Sequence, residues 1–326
     1  MKRPEFDAKY KEHLTRKILD LKKEKGALIV AHNYQRDEIQ DIADITGDSY
    51  ALACKVAKAK EELVVFCGVK FMAESAYMLS PGKTVLLPVE EAGCPLADMI
   101  TVEKLKQKRQ EYPEAAVVCY VNSSAAVKAE SDICCTSSNA IQIVRSLKEE
   151  KVIFVPDRNL GRYVRERVPE KDVILWDGYC IVHKRLTKEE VLGTKKLHPE
   201  AEFIVHPECQ KEVLDLADYI GSTAGMIKYV KECPRKEFII GTEMGIIYRL
   251  KHDNPEKQFY VPADHFICAN MKLTTLGWLA RSLEKEIYKI EVPEGVAAKA
   301  RKALQRMVDV TENQMTDDRR QKTEDR

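Results

Sequence analysis

The sequence predicts an α/β protein made of three similar small α/β domains, with parallel sheets arranged around a pseudo-threefold axis. Short apolar segments recur three times along the 326-residue chain, with offsets of 88 and then 86 residues. Helical stretches alternate with them, which is typical of parallel strands joined by crossover helices. The three sets of predicted strands are 27–31, 115–119 and 201–205; 63–66, 151–154 and 237–240; and 84–87, 172–175 and 258–261.

Each repeat, here called a unit, has the same order of elements. A first strand leads to a polar residue, a helical stretch and a hydroxyl residue at the start of a second helix. Apolar residues in that second helix are three or four apart, as Leu52 and Val56 are, so they share one buried face. Because a proline disfavours helix in the residue before it, Pro113 and Pro199 mark unit starts. We therefore predict domains at 26–112, 113–198 and 199–274.

The segments outside the units are predicted to be flanking helices and a tail. Residues 1–25 and 275–310 have helical patterns, the second interrupted at Pro293. Residues 311–326 have almost no apolar content and cannot bury a hydrophobic face. We therefore expect a mobile tail there.

Composition favours a cytoplasmic protein that acts on small molecules. The formal net charge of +1 gives no field that attracts nucleic acid or a membrane surface. No apolar run approaches the roughly 20 residues of a transmembrane helix, and the charged N-terminus lacks the apolar segment of a secretory signal. Closure of three units within one chain is compatible with a monomer or a homodimer.

Three of the ten cysteines occupy equivalent places in the three units. Cys94, Cys180 and Cys268 come 10, 8 and 10 residues after the starts of the third strand set. Cytosolic thiols stay reduced, and three equivalent thiols can meet on one axis, so the pattern favours a metal cluster. A [4Fe–4S] cluster with one iron free of protein ligands fits, since the chain has no CxxC pair. Zinc held by these thiols and His183 or His265 is the alternative, and the other seven cysteines are expected to be small buried residues.

Polar residues follow the first strand of each unit directly. Ligand-contacting residues gather beyond the carboxyl ends of parallel strands, so residues from three facing units would line one cavity. The alternative for each is ordinary local hydrogen bonding at a strand end. The three groups are His32 with Tyr34, Tyr120 with Asn122, and His206 with Glu208.

Ser49, Ser137 and Thr223 stand where the second helix of each unit begins. Capping of the helix is the simplest role for these hydroxyls. Helix N-termini also offer free N–H groups and partial positive charge to an anion, which suits substrates with several carboxylates or a phosphate. No Walker or GxGxxG glycine pattern is present, so nucleotide binding is disfavoured.

Many short motifs occur together in one order over residues 27–280, and together they resemble the quinolinate synthase family. They are AHNYQ (31–35), FCGVKFMAE (66–74), GCPLADM (93–99), YVNSSA (120–125), CTSSNA (135–140), PDRNLG (156–161), WDGYCIVH (176–183), VHPEC (205–209), GSTAGM (221–226), GTEMG (241–245) and CANMKLTTL (268–276).

The resemblance implies an enzyme of NAD biosynthesis that condenses iminoaspartate with dihydroxyacetone phosphate to give quinolinate, phosphate and water. It implies a [4Fe–4S] cluster on the axis, with Cys94, Cys180 and Cys268 as ligands and the open iron as a Lewis acid. A separate enzyme that supplies iminoaspartate is the implied partner. The implied substrate-binding positions are His32, Ser49, Tyr120, Asn122, Ser137, His206, Glu208 and Thr223.

The acid–base roles are assigned by chemistry. Glu208 is expected to be the general base, because a closed cavity can raise the pKa of a carboxyl toward neutrality. Tyr34 and Tyr120 are expected to relay protons or bind carboxylate, and His183 to approach the substrate or the cluster. Structural pairing and aromatic packing are the alternatives for these side chains. A non-catalytic iron–sulfur or zinc sensor and a metal-free phosphosugar enzyme are the two other classes of function left open.

Overall fold

The computed structural model of the chain describes residues 4–324, and it describes side chains for residues 8–313. Three separate four-stranded sheets, all parallel, confirm the predicted fold class. The strands are β1 Ala27–His32, β2 Ile45–Gly47, β3 Leu63–Cys67, β4 Thr84–Leu86, β5 Ala116–Tyr120, β6 Ile133–Cys135, β7 Lys151–Val155, β8 Asp172–Leu175, β9 Glu202–Val205, β10 Tyr219–Ile220, β11 Glu237–Gly241 and β12 Gln258–Tyr260.

Helices connect the strands and flank the sheets. They are α1 Pro4–Lys25, α2 Asp37–Ile42, α3 Ser49–Lys58, α4 Lys70–Leu79, α5 Val102–Glu111, α6 Ala125–Ala129, α7 Ala140–Ser146, α8 Arg158–Arg165, α9 Ile181–Lys184, α10 Lys188–Leu197, α11 Lys211–Leu214, α12 Thr223–Glu232, α13 Ile246–Asp253, α14 Leu276–Lys285 and α15 Glu294–Glu324. No helix of this described part is long and apolar enough to cross a bilayer.

The three sheets have one topology, with strand orders β2-β1-β3-β4, β6-β5-β7-β8 and β10-β9-β11-β12. All nine predicted strands are present. The edge strands β2, β6 and β10, of two or three residues each, were not predicted. The order reverses between the first and third strands of each unit, and that switch opens a crevice at their carboxyl ends.

One aspartate per unit, directly before the second strand, ties that segment to the first strand. The carboxylate accepts a hydrogen bond from a strand N–H, and a basic side chain of the preceding helix pairs with it. The acceptors and donors are Asp44 with Ile29 N (2.9 Å), Asp132 with Val117 N (2.7 Å) and Asp218 with Phe203 N (2.7 Å). The paired cations are Lys22, Arg109 and Lys195. The units are therefore alike in detail as well as in topology.

A ten-residue helix follows each of the three repeated cysteines and covers the next sheet. Its cap is a threonine seven residues after the cysteine, at Thr101, Thr187 and Thr275. The third of these helices, α14, packs on the first sheet, where Leu279 and Ile29 share one buried cluster. This contact closes the ring of units, so α14, predicted as a flanking helix, is the counterpart of α5 and α10.

The helix ends near the predicted domain boundaries lie beside the prolines, as expected from the sequence. Helices α5 and α10 end before Pro113 and Pro199, and α15 begins just after Pro293. The domain boundaries at residues 112 and 198 stay predictions. Helix α15 packs on α4, α6 and β6 and continues to Glu324 rather than to residue 310. Mobility of 311–326 stays a prediction, and residues 325–326 lie outside the described part.

Gly178→Ala is expected to destabilise the protein by about 1–3 kcal/mol. A Cβ at Gly178 would lie 2.3 Å from the carbonyl oxygen of Pro156, a backbone atom that cannot move aside cheaply. Gly193 lies inside α10 with open space around its Cβ position, so Gly193→Ala is expected to stabilise by up to about 1 kcal/mol. Thermal unfolding of both variants checks this pair, and an unchanged or higher melting temperature for Gly178→Ala contradicts it.

Candidate functional site

A cavity with about 90 Å³ of space for solvent lies where the three units meet. Equivalent residues from all three units line it, as a pseudo-threefold arrangement requires. The structure brings every site residue predicted from the sequence to this one cavity, although their roles stay predictions. These residues are His32, Tyr34, Ser49, Cys94, Tyr120, Asn122, Ser137, Cys180, His183, His206, Glu208, Thr223 and Cys268.

The three cysteines reach the cavity on loops of one design. A short helical turn follows each cysteine, so the backbone N–H three positions after the cysteine donates to its sulfur. These donors are the N–H groups of Ala97, His183 and Met271. Burial raises the pKa of all three thiols, that of Cys94 to about 12, and these N–H groups oppose the rise only in part. A bound metal would compensate the buried thiolate charge, because thiol ligands bind as thiolates and lose their protons.

The three cysteine sulfurs are not all close enough together to bind one zinc ion. Two sulfurs on one zinc lie within roughly 4 Å of each other, since each Zn–S bond is about 2.3 Å. Among the described side chains, the only group of three or more metal-binding residues with ligand atoms within 4.8 Å of one another is Cys180, His183 and Glu208. The three thiols do not form such a group, although Cys94 interacts electrostatically with both Cys268 and Cys180. His265 is 42% exposed and lies near Glu190, away from the cavity lining.

Two buried carboxylates missed by the sequence analysis hold the cysteine loops. Asp157 accepts a hydrogen bond from the N–H of Cys180 at 2.9 Å, and Glu243 accepts one from the N–H of Cys268 at 3.1 Å. Burial raises the pKa of both carboxyls. Lys272, 3.1 Å from Glu243, compensates part of that charge. Asp157 and Glu243 are 86 residues apart, so the repeat offset could have identified them.

Glu208 lies among histidines on the cavity wall. Its Oε2 is 2.7 Å from Nδ1 of His183, although the N–H is bent away from the oxygen. Burial by itself raises the pKa of the Glu208 carboxyl, but His183, His206 and a hydrogen bond from Tyr120 outweigh burial and lower the pKa to about 2. The expected upward shift is therefore wrong, because the sequence did not reveal these partners. The other oxygen, Oε1, is buried without a hydrogen-bond partner.

His32 and His206 are neutral donors at equivalent positions. Burial lowers the pKa of each to about 3. Nδ1 of His32 accepts the backbone N–H of Tyr34 at 3.1 Å, and Nδ1 of His206 accepts that of Glu208 at 3.4 Å. The proton of each ring is therefore on Nε2. His206 Nε2–H donates to the hydroxyl of Ser137 at 3.1 Å.

The two predicted catalytic tyrosines face the same carboxylate from different units. Burial, with Glu208 adding to it, raises the pKa of both phenols well above the usual value, so both stay protonated. Tyr120 donates to Glu208. The hydroxyl of Tyr34 is 2.5 Å from the hydroxyl of Thr242, a residue the sequence analysis did not single out.

The hydroxyl residues lie at helix starts but do not cap the helices. The caps are the preceding Asp48, which accepts the N–H of Ala51, and Ser222, which accepts that of Gly225. Ser137 lies three residues before α7, outside the helix. The capping role was wrong because a cap sits one residue before the first helical turn, a position that periodicity does not fix. The three hydroxyls remain on the cavity wall.

Comparison with known proteins identifies the family of the chain. The family model for quinolinate synthetase A protein (NadA) matches residues 16–309. The quinolinate synthase of Caldicellulosiruptor saccharolyticus is 54% identical over 300 residues, covering 92% of this chain and 99% of its own. That of Alkaliphilus metalliredigens is 55% identical over 293 residues (90% and 97%), and that of Methanoregula boonei is 53% identical over 295 (90% and 97%). The chain belongs to the quinolinate synthase A family.

Proposed function

We propose that the chain condenses iminoaspartate with dihydroxyacetone phosphate to quinolinate, phosphate and water. Family membership supports a role in NAD biosynthesis. The observation that carries the proposal is that three repeat-equivalent cysteines, neutral histidines, hydroxyls and the ionised carboxylate of Glu208 line one cavity. Such a lining suits a polyanionic substrate pair beside a metal cluster.

A [4Fe–4S] cluster held by Cys94, Cys180 and Cys268 is the proposed cofactor. The repeated N–H donors and the electrostatic interaction of Cys94 with both Cys180 and Cys268 support it. When bound with one iron open, the cluster supplies a Lewis acid for loss of hydroxyl groups as water. The carboxylates Asp157 and Glu243 hold two of the ligand loops in place.

Substrate anions are proposed to bind the donors that surround the cavity. The Nε2–H groups of His32 and His206 belong to neutral rings, so they can donate to carboxylates at neutral pH without changing charge. The amide of Asn122 and the hydroxyls of Ser49, Ser137 and Thr223 complete the set. Iminoaspartate has two carboxylates and dihydroxyacetone phosphate has one phosphate. These three anionic groups match the three sets of donors, one from each unit.

The proposed base is the pair formed by Glu208 and His183. The low pKa of Glu208 means that its carboxylate is ionised, and the 2.7 Å contact lets it stabilise a proton on the His183 ring. The unpartnered Oε1 of Glu208 is left for a substrate N–H or O–H. Tyr34 and Tyr120, both protonated, are the proposed proton donors.

Ser49→Ala, Ser137→Ala and Thr223→Ala are each expected to raise the KM for one substrate. A hydrogen bond to a charged group contributes about 1.5–3 kcal/mol, so a rise of roughly 10- to 100-fold follows. Steady-state kinetics with each substrate varied in turn measures the effect. Unchanged KM values in all three variants would remove the anion-binding assignment.

The decisive test is a direct assay for quinolinate from the two substrates after anaerobic purification. A brown protein with broad visible absorption that makes quinolinate supports both the reaction and the cluster. A sensor would bind the cluster without turnover, and a metal-free enzyme would turn over without the absorption. The polar side chains from all three units on the cavity wall favour the enzyme over the sensor. We retain as part of the proposal a cytoplasmic location and a separate enzyme as the source of iminoaspartate.

A further inference from the structure

Helix α15, which follows the three units in sequence, packs across two of them. It contacts α4 of the first unit and α6, α7 and β6 of the second. Arg301 donates to the carbonyl of Met78 in the first unit at 2.7 Å. One turn further along the helix, Arg306 donates to the carbonyl of Asp132 in the second unit at 3.3 Å. The helix therefore links two units whose sheets are separate.

Thr311 in this helix is buried, and its hydroxyl lies between the two units. The hydroxyl donates to the carbonyl of Met307 at 2.7 Å and accepts from the amide N–H of Asn139, in the second unit, at 2.9 Å. The phenol of Tyr50, in the first turn of α3 of the first unit, interacts with the same hydroxyl. A hydroxyl has one proton and two lone pairs, so these three partners use its whole hydrogen-bonding capacity.

Asn139 holds the loop that carries Ser137. Its Oδ1 accepts the backbone N–H of Thr136 at 2.7 Å, which leaves the amide N–H to point at Thr311. Thr136 and Ser137 both line the cavity, and the hydroxyl of Ser137 is 3.1 Å from Nε2 of His206. The hydroxyl of Thr311 is therefore connected to the cavity wall through one side chain.

Two of the three hydroxyl residues proposed to bind anions are thus connected at one point outside the cavity. Ser49 directly precedes Tyr50, and Ser137 lies between Thr136 and Asn139. Thr311 is not part of the cavity lining, so it acts on a ligand there only through these neighbours. Because the first two sheets are separate, contacts between the units determine how far Ser49 and Ser137 lie from each other.

We propose that Thr311 is a positioning residue that sets the separation of Ser49 and Ser137, and with it the fit of the substrate anions that bind there. The proposal rests on the proposed function and extends it to a residue of the C-terminal helix. Without the hydroxyl, the amide N–H of Asn139 is buried with no acceptor, so its loop has to move or admit water. Ser137 moves with that loop. The effect is on binding, since neither serine is among the proposed acid–base groups.

Thr311→Val is expected to raise the KM of the substrate that Ser137→Ala affects by about 10-fold, because a buried donor is left without its acceptor. Its kcat should stay within about threefold of wild type. Valine keeps the branched shape and removes only the hydroxyl. Thr311→Ser restores the hydroxyl and should bring the KM back to within about threefold of wild type. Steady-state kinetics of the cluster-containing protein, with each substrate varied in turn, measures both constants.

The matched control is Thr194→Val. Thr194 lies in α10, and its hydroxyl makes the same bond to the carbonyl four residues earlier, that of Glu190, at 2.9 Å. It lies outside the cavity lining, so KM and kcat should both match wild type. A fall in melting temperature that both valine variants share reports loss of the bond within the helix. A purely structural role for Thr311 would lower the melting temperature and leave the KM unchanged.

A double-mutant cycle with Ser137→Ala tests whether Thr311 acts through the loop. If it does, Thr311→Val raises the KM by less than about threefold in the Ser137→Ala background, because changes that act through one contact are not additive. Visible absorption of the cluster is measured on the same proteins and should match wild type in Thr311→Val, since the cysteine loops are not in contact with Thr311.

Several results would overturn the proposal. These are Thr311→Val KM values for both substrates within about threefold of wild type, no recovery in Thr311→Ser, additive effects in the cycle, or an equal rise in KM in Thr194→Val. A wild-type protein that makes no quinolinate would overturn the proposed function itself, and with it this inference. The two failures are therefore distinct.

Discussion

Glu208→Gln is expected to lower kcat by about 1,000-fold or more while the cluster and the fold remain. The amide keeps the size of the side chain, but it cannot stabilise a proton on His183 across the 2.7 Å contact. Its neutral oxygen also replaces the unpartnered, charged Oε1. Loss of a positioned base and of its charge together corresponds to the upper part of the 10²–10⁴-fold range for acid–base catalysis.

Single-turnover and steady-state assays, with visible absorption of the cluster as a parallel measurement, check this result. The control is Glu74→Gln, because Glu74 is also buried and accepts a backbone hydrogen bond, from Ala125, but lies outside the cavity lining. Its turnover should be close to wild type. A Glu208→Gln enzyme that retains more than a tenth of the rate would rule out the base assignment.

Cys180→Ser is expected to remove both the cluster and the activity. Serine keeps the side-chain shape, but its hydroxyl does not ionise near neutral pH and is a poor ligand for iron–sulfur clusters. Even changes beyond the direct ligands of a metal cost 10–100-fold in metal affinity, so loss of a direct ligand should exceed about 100-fold. The equivalent changes at Cys94 and Cys268 should have the same effect, because the three loops are alike.

Iron and sulfide content, visible absorption and quinolinate formation are measured for each variant under anaerobic conditions. Cys54→Ser is the control, since Cys54 is half-buried in α3 and does not line the cavity. It should keep the cluster and the rate. If Cys180→Ser, Cys94→Ser and Cys268→Ser each retained a full complement of iron, the cluster assignment would be wrong.

The longer strands and the repeat could be predicted from the sequence, because a segment that is buried along its whole length is a continuous run of apolar residues. Residues 27–31 and 63–66 are such segments, and both form strands. The edge strand β2, of three residues, gave no signal, and α14 was placed outside the repeats because its sheet partner belongs to the first unit. Short elements and contacts between distant segments leave no local pattern.

The sequence by itself determined the α/β class, the three units, the three cysteines and the set of polar residues that gather at one cavity, because all of these depend on residue type and spacing. Only the tertiary structure decided how those residues act on each other. The low pKa of Glu208 comes from His183 of another unit, and the place of Thr242 between Tyr34 and His183 comes from contacts across 208 and 59 residues. Hydrogen-bond direction and charge depend on three-dimensional neighbours, which spacing along the chain does not encode.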